Sequence, residues 1–196
     1  MAVTANIVDL TERPDPAQHE RALLQRLAHG DHKALDEIVA IHQQRISRLV
    51  YRLLGWRHDA DDVVQDVFLA ALKQIGRFRA ESSIGTWLAA IAIKKCRTCR
   101  KKRWVRWRWL GRQRLSEPAS SAADEPLVKD ELAAEVRRAV QELAAPDREV
   151  IVLYYLEQMS VKEMAQLLQA SPNAIDVRLH RARQRLRTSL AGLIEE

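Results

Sequence analysis

Hydrophobic positions along the chain recur at steps of three and four, which is the spacing of one helix face. The clearest run lies between 33 and 54, and Gly55 follows its last apolar position. The apolar residues that recur at these steps include Leu35, Ile38, Val39, Ile46, Leu49, Val50 and Leu53. No strand-length stretch alternates valine or isoleucine with polar residues. The pattern predicts an all-α fold.

Residues that start and stop helices divide the N-terminal half into four predicted helices. Gly30 and Gly55 follow helical runs, because glycine readily adopts the left-handed conformation that ends a helix. Asp59 stands at an N-cap position before the third run. The predicted helices cover 18–28, 33–54, 60–75, and 84 to beyond 101. Residues 1–17, which contain two prolines, are predicted to be a flexible leader.

Helical periodicity disappears between 111 and 126, where glycine, serine, alanine and proline dominate. Such a composition predicts a flexible linker. The chain therefore divides into two small helical domains, at 18–110 and 127–196.

In the C-terminal half, Pro146 fits the first turn of a helix that continues to Leu156. Asp147 and Glu149 would compensate the positive end of that helix dipole. Apolar periodicity from 127 to 143 precedes this helix. Further predicted helices run over 161–168 and from 172 to about 193.

The last two predicted helices have the arrangement of a helix-turn-helix. Ser160 and Glu163 match a capping box, and a tight turn at 169–171 leads into the next helix. The apolar stripe of that second helix consists of Ile175, Leu179, Ala182 and Leu186. Its arginines fall on another face, where they would meet phosphates or base edges. The alternative is a solvated basic helix within an ordinary bundle.

Charge is distributed unevenly along the chain. The net charge is +6 and the pI about 9.6, and every charged residue from Lys94 to Arg114 is basic. Acidic residues gather instead at 59–66 and between 117 and 149. Basic clusters of this kind suit the phosphate backbone of DNA. With only two cysteines and no apolar run long enough to span a bilayer, we expect a cytoplasmic protein without stable membrane insertion.

The sequence lacks the motifs of the common enzyme classes. Cys96 and Cys99 have the spacing of a metal or redox pair, but they lie in mid-helix without a second ligand pair. An incidental or structural pair is favoured, and redox sensing is the alternative. We find no zinc-hydrolase motif and no phosphate-binding glycine loop. The prediction is a protein that is not an enzyme and needs no metal, cofactor or small-molecule substrate. A magnesium-dependent nuclease built on the acidic run 59–66 is a weak rival.

Several segments resemble the sigma-70 family, especially its small extracytoplasmic-function (ECF) branch. The segments LAAPDREV at 143–150, YLEQMSVKEMA at 155–165 and VRLHRAR at 177–183 resemble region 4 of the family. DADDVVQDVF at 59–68 and FRAESSIGTWL at 78–88 resemble region 2. The resemblance covers about 18–190 and implies an alternative sigma factor that binds core RNA polymerase and promoter DNA. A stand-alone helix-turn-helix regulator is the alternative.

The resemblance also implies three sets of site residues. An acidic and amide helix surface would bind the basic clamp helices of core polymerase, through Asp61, Asp62, Gln65 and Asp66. Recognition and opening of the −10 element would use Phe78, Arg79, Ser82, Ser83, Lys94, Arg97 and Lys101. The −35 element would be bound by Ser171, Asn173, Asp176, Arg178, Arg181 and Arg185.

Three features depart from the family pattern. Asp176 stands where a basic residue is common, so it predicts an unusual upstream motif, read through a cytosine amino group. Its alternative role is an ion pair with Arg178 or His180. Ile93 and Lys94 replace a basic residue and an asparagine. The segment 103–110 interleaves tryptophan with arginine, which favours domain packing or contact with a partner such as an anti-sigma protein; base stacking and an anionic membrane are the alternatives.

Overall fold

A computed structural model describes residues 16–55, 59–78, 82–109 and 131–191, and within these ranges the chain forms helices without a strand. The predicted all-α fold is confirmed. The helices are α1 (Pro16–Ala28), α2 (His32–Leu54), α3 (Ala60–Gln74), α4 (Ile84–Trp109), α5 (Glu131–Glu142), α6 (Ala145–Ile151), α7 (Val161–Leu168) and α8 (Pro172–Ser189).

The N-terminal half is a bundle in which α2, α3 and α4 pack against one another and α1 covers α2. Helix α1 begins two residues before the predicted start, because Pro16 suits a first turn whose amides need no partner within the helix. Two side chains cap the start of α4. The Ser83 hydroxyl accepts a hydrogen bond from the Thr86 amide at 3.1 Å, and Glu20 of α1 accepts one from the Ile84 amide at 3.1 Å.

In the C-terminal half, α8 packs against α5, α6 and α7. The helix predicted over 146–156 is divided. Helix α6 ends at Ile151, and Val152–Leu156 forms a π-helical turn. In this turn the Glu157 amide donates to the Val152 carbonyl, five residues earlier, at 3.1 Å. Helix α8 ends at Ser189, short of the predicted residue 193.

The two halves lie in contact, and their buried side chains belong to one continuous hydrophobic cluster. The contact joins α2 to α6 and to the π-helical turn. Gly55 ends α2 in the left-handed conformation, with φ +79°. The predicted linker, 111–126, and most of the predicted leader lie outside the described residues, so these boundaries stay predictions.

Candidate polymerase and nucleic-acid interfaces

Helices α7 and α8 form the predicted helix-turn-helix. Ser160 and Glu163 make the capping box: the Glu163 amide donates to the Ser160 hydroxyl at 3.2 Å, and the Ser160 amide donates to the Glu163 carboxylate at 2.8 Å. Bonds from the Ser160 side chain and backbone lower the pKa of Glu163. Gln169 makes the turn in the left-handed region, at φ 54°. The predicted capping box and the predicted turn are therefore confirmed.

Helix α8 buries one face and exposes another. The predicted apolar stripe is confirmed, with its first three members buried and Leu186 partly buried. Ser171 is the N-cap, where its hydroxyl accepts from the Ala174 amide at 3.2 Å. Asn173, Asp176 and Arg181 are exposed, and Arg178 is half-buried. These side chains form an accessible surface along the first half of the helix.

Two arginines of α8 are already engaged within the C-terminal half. Arg185, predicted to bind DNA, forms an ion pair with Asp147 of α6. Arg183 donates to the Tyr155 hydroxyl at 2.8 Å and lies over the rings of both tyrosines of the π-helical turn. In the part of the chain that the structure describes, no ion pair joins Asp176 to Arg178 or His180.

The acidic residues predicted to bind polymerase share the exposed face of α3. Asp61, Asp62, Gln65 and Asp66 are exposed, whereas the intervening valines face the core. The Asp66 carboxylate pairs with the Lys95 ammonium of α4 at 3.2 Å.

A groove of about 670 Å³ lies along the surface between α3 and α4. Asp59, Asp62 and Asp66, together with Lys73, line the α3 side, and Lys94, Lys95 and Lys102 line the α4 side.

The segment that resembles the strand-opening loop precedes α4. The Phe78 ring, half-buried, packs on Trp87 of α4 with ring centroids 4.9 Å apart. Both aromatic residues therefore anchor the loop to the bundle. Ser82 and Ser83 are exposed, and Ser83 also caps α4. Arg79 lies outside the described residues.

Helix α4 provides a basic surface, but its three predicted DNA-binding residues differ in availability. Lys94 and Lys101 are exposed. Arg97 forms an ion pair with Glu149 of α6, at 2.8 Å between Nη2 and Oε2, and this hydrogen-bonded carboxylate raises the Arg97 pKa. Ile93 is buried, 2% exposed, and belongs to the core.

The interpretation of Glu149 as a helix-dipole residue was incomplete. Its side chain is only 3% exposed and pairs with Arg97 and with Arg100, both from the other half of the chain. A buried carboxylate needs such partners, because its removal from water costs several kcal/mol. The stabilisation that a carboxylate gains at the start of a helix is much smaller than this cost. The sequence signal was a glutamate directly before the apolar run at 150–153, a position that faces the interior.

The two cysteines are free thiols inside the bundle. Cys96 is buried, and burial raises its pKa to about 12. Cys99 is half-buried, and burial followed by the nearby Asp59 carboxylate raises its pKa as well. A protonated thiol is a poor nucleophile and a poor metal ligand. Both environments favour the structural interpretation of the pair.

The end of α4 exposes aromatic residues among arginines. Trp104 is 54% exposed and Trp109 is 85% exposed, so neither packs into the core of the described residues. The Arg108 guanidinium lies 5.3 Å from the Trp104 ring centroid. Within the same residues we find no cluster of acidic, histidine or cysteine side chains suited to a metal. None of the described helices has the length and apolar character required to cross a membrane.

Comparison with known proteins gives two family matches in one chain. Residues 38–105 match sigma-70 region 2, and residues 133–186 match sigma-70 region 4. The ECF RNA polymerase sigma factor SigW of Bacillus subtilis is 30% identical over 179 residues, covering 87% of this chain and 96% of that protein. The RNA polymerase sigma factor CnrH of Cupriavidus metallidurans is 32% identical over 180 residues, covering 88% and 94%.

Solved structures agree with this assignment. CnrH in complex with the cytosolic domain of CnrY superposes with a TM-score of 0.63 at 29% identity, over 89% of this chain and 98% of that one. The sigma factor RpoE of Bartonella quintana, in complex with the anti-sigma factor NepR, has the same fold, with a TM-score of 0.70 at 22% identity over 81% and 98%. A stand-alone helix-turn-helix regulator does not account for the region 2 match. The chain belongs to the ECF branch of the sigma-70 family.

Proposed function

We propose that this chain directs RNA polymerase to promoters as an alternative sigma factor, with polymerase binding, −10 opening and −35 recognition assigned to separate surfaces. The observation that carries the proposal is the presence in one chain of an exposed acidic helix face on α3 and an exposed polar helix start on α8. The first complements a basic protein surface, and the second fits the DNA major groove.

Helix α8 would read the −35 element with its first half. Asn173 and Asp176 would meet base edges, while Arg178 and Arg181 would bind phosphates. Asp176 would accept a hydrogen bond from a cytosine amino group. Because Arg185 pairs with Asp147, it would add less to phosphate binding than Arg181.

The −10 element would meet the loop before α4 and the exposed lysines of α4. Opening a duplex requires capture of an unstacked base, for which the exposed Ser82 and Ser83 offer polar groups and Phe78 and Trp87 form an aromatic pair. Lys94 and Lys101 would follow the strand backbone. Nucleotide chemistry would remain with the polymerase.

The RpoE structure of Bartonella quintana contains the anti-sigma factor NepR, and we extend such a partner to this chain as part of the proposal. An anti-sigma protein would hold the factor away from polymerase until a signal releases it. The exposed end of α4, with Trp104 and Trp109, offers apolar surface for such a contact.

Reconstitution with core polymerase tests the proposal. We expect specific transcripts from a promoter library in the absence of any anti-sigma protein. The double variant Asp61→Lys with Asp62→Lys should lose core binding at least tenfold, since like charges across an interface cost several kcal/mol. Asp36→Lys, an exposed acid on α2, is the matched control and should bind normally. Core binding without promoter-dependent transcripts would contradict the sigma function.

A binding selection tests the assignment of Asp176. Asp176→Lys should change the preferred base at one upstream position, and Arg181→Ala should weaken binding equally across sequences. An unchanged preference at every position would remove the base-reading role.

A further inference from the structure

Besides the shared hydrophobic cluster, charged side chains join the two halves of the chain. Acidic residues come from the C-terminal half, Glu149 and Glu157, and each meets arginine from the N-terminal half. Both carboxylates are nearly buried, with side chains 3% and 4% exposed. Without the N-terminal half, the negative charge of each glutamate would have no arginine to pair with in these contacts.

Glu149 is the centre of the contact. Its carboxylate accepts from Arg97 Nε at 3.2 Å and Arg97 Nη2 at 2.8 Å, and it also pairs with Arg100. Arg97 and Arg100 lie one turn apart on α4, so one carboxylate joins two consecutive turns of that helix to α6. Breaking such a pair on one side leaves a buried charge and is strongly unfavourable.

A second contact caps α2 from the opposite half. Arg148 Nη1 donates to the carbonyls of Leu53 at 3.4 Å and Leu54 at 3.2 Å, and Nη2 donates to the Leu143 carbonyl at 3.1 Å. The first two carbonyls are the last of α2, the negative end of its dipole. Arg148 therefore provides hydrogen bonds to the end of α2 in the N-terminal half, while a backbone carbonyl of its own C-terminal half holds the guanidinium in place.

The third contact lies beside the strand-opening loop. Arg45 Nε pairs with Glu157 Oε2 at 2.8 Å. The same guanidinium lies against Gly85, where an added Cβ would be 2.3 Å from Nη1. Gly85 follows the first residue of α4, so the C-terminal half contacts the base of the loop through Arg45.

This arrangement conflicts with simultaneous binding of two promoter elements. Glu149 occupies Arg97, one of the residues proposed to bind the −10 strand. The two elements lie about 25 base pairs apart, roughly 85 Å along B-DNA at ten base pairs per turn. A compact chain of this length has a radius of gyration of about 16 Å and so a diameter of roughly 40 Å. Two halves in contact do not span that distance.

We propose that three polar contacts, the ion pairs of Glu149 with Arg97 and Arg100, the hydrogen bonds of Arg148 to the end of α2, and the ion pair of Arg45 with Glu157, form a latch that holds the free sigma factor closed. The latch must open before both promoter elements are bound. Ion pairs suit a contact that has to open, because water and phosphates can replace the partners of each charge when the two halves separate. The closed state needs no second protein; its role in promoter binding rests on the proposed function.

Distance measurement in the free chain tests the latch. Spin labels on genetically encoded ketone side chains at Asp36 and Gln184, both exposed, leave the native cysteines in place. The wild-type chain should give one narrow distance. Glu149→Gln should give a longer and broader distribution, since a coil of 16 residues such as the predicted linker spans about 20 Å. Glu142→Gln, which breaks the exposed Arg138–Glu142 pair, is the matched control and should leave the distance unchanged.

A charge exchange protects the test against simple misfolding. Arg45→Glu should lengthen the distance, and adding Glu157→Arg should restore it, with helix content by circular dichroism unchanged throughout. A broad distribution in the wild-type chain would overturn the latch. The latch would also be overturned if the distance distribution were the same in the wild-type chain, in Glu149→Gln and in Arg45→Glu.

Promoter binding is examined separately, so that failure of the latch and of the proposed function remain distinct. Core polymerase and a promoter duplex with both elements should lengthen the wild-type distance. A chain that is closed alone but stays closed in that complex would contradict the proposed opening, while leaving the closed state itself established.

Discussion

Replacing Gly55 with alanine probes the place where α2 meets the C-terminal half. An added Cβ would lie 2.8 Å from Arg148 Nη1 and 2.4 Å from Gln141 Oε1. Gly30 provides a matched control. Its φ of +86° is close to the +79° of Gly55, but an added Cβ at Gly30 meets nothing within 4 Å. The two substitutions thus share a backbone cost and differ in their neighbours.

The magnitude follows from these contacts. The left-handed conformation costs a non-glycine residue about 1–2 kcal/mol, which we expect for Gly30→Ala. At Gly55 the flexible Gln141 amide can move aside, but Arg148 is held by the carbonyls of Leu53 and Leu54. A hydrogen bond from a charged donor contributes about 1.5–3 kcal/mol, and loss of one raises the expected cost of Gly55→Ala to about 2.5–5 kcal/mol.

Urea unfolding followed by circular dichroism measures both costs, and a double-mutant cycle with Arg148→Ala isolates the contact. In the Arg148→Ala background, Gly55→Ala should cost no more than Gly30→Ala. Equal costs of the two glycine substitutions in the wild-type background would refute the close approach of Arg148 to the end of α2.

Three further outcomes follow from particular side chains. Burial lowers the pKa of His42 in the folded chain, so the unfolded chain binds the proton at a higher pH than the folded chain does. The free energy of unfolding should therefore fall as pH drops below about 6.5. His42→Gln should remove that part of the decline. Arg181→Ala should reduce the slope of log affinity for −35 DNA against log salt by about 0.9, and Arg185→Ala by less, which a salt titration of binding checks. Iodoacetamide should modify Cys99 faster than Cys96 at pH 8, as mass spectrometry of the native protein would show; equal rates would contradict the burial of Cys96.

Local signals in the sequence predicted much of the fold. Helix α7 was predicted to its terminal residues, since its capping box and the left-handed Gln169 are features of a few neighbouring positions. The exposed face of α3 followed from the spacing of four polar residues against valine. Helix caps and helix faces depend on residues three or four positions apart, so the spacing of residue types along the sequence predicts them.

Contacts between distant positions were not predictable from the same signals. Arg45 and Glu157 lie 112 positions apart, and Arg97 and Glu149 lie 52 apart. Their spacing along the chain carries no periodicity, so Arg97 was assigned to DNA and Glu149 to a helix dipole. The π-helical turn was missed for a related reason: its apolar residues continue the helical pattern, and only the hydrogen bonds distinguish it.

The turn at Val152–Leu156 affects how the chain can change in length. A π-helical turn accommodates one residue more than the α-helix around it, and the surplus is absorbed locally. Removing one residue there would restore an ordinary α-helical turn while α6 and α7 keep their buried faces. Insertions and deletions elsewhere in these helices would rotate an apolar stripe toward water. Relatives that differ by one residue between α6 and the helix-turn-helix can therefore share the same domain.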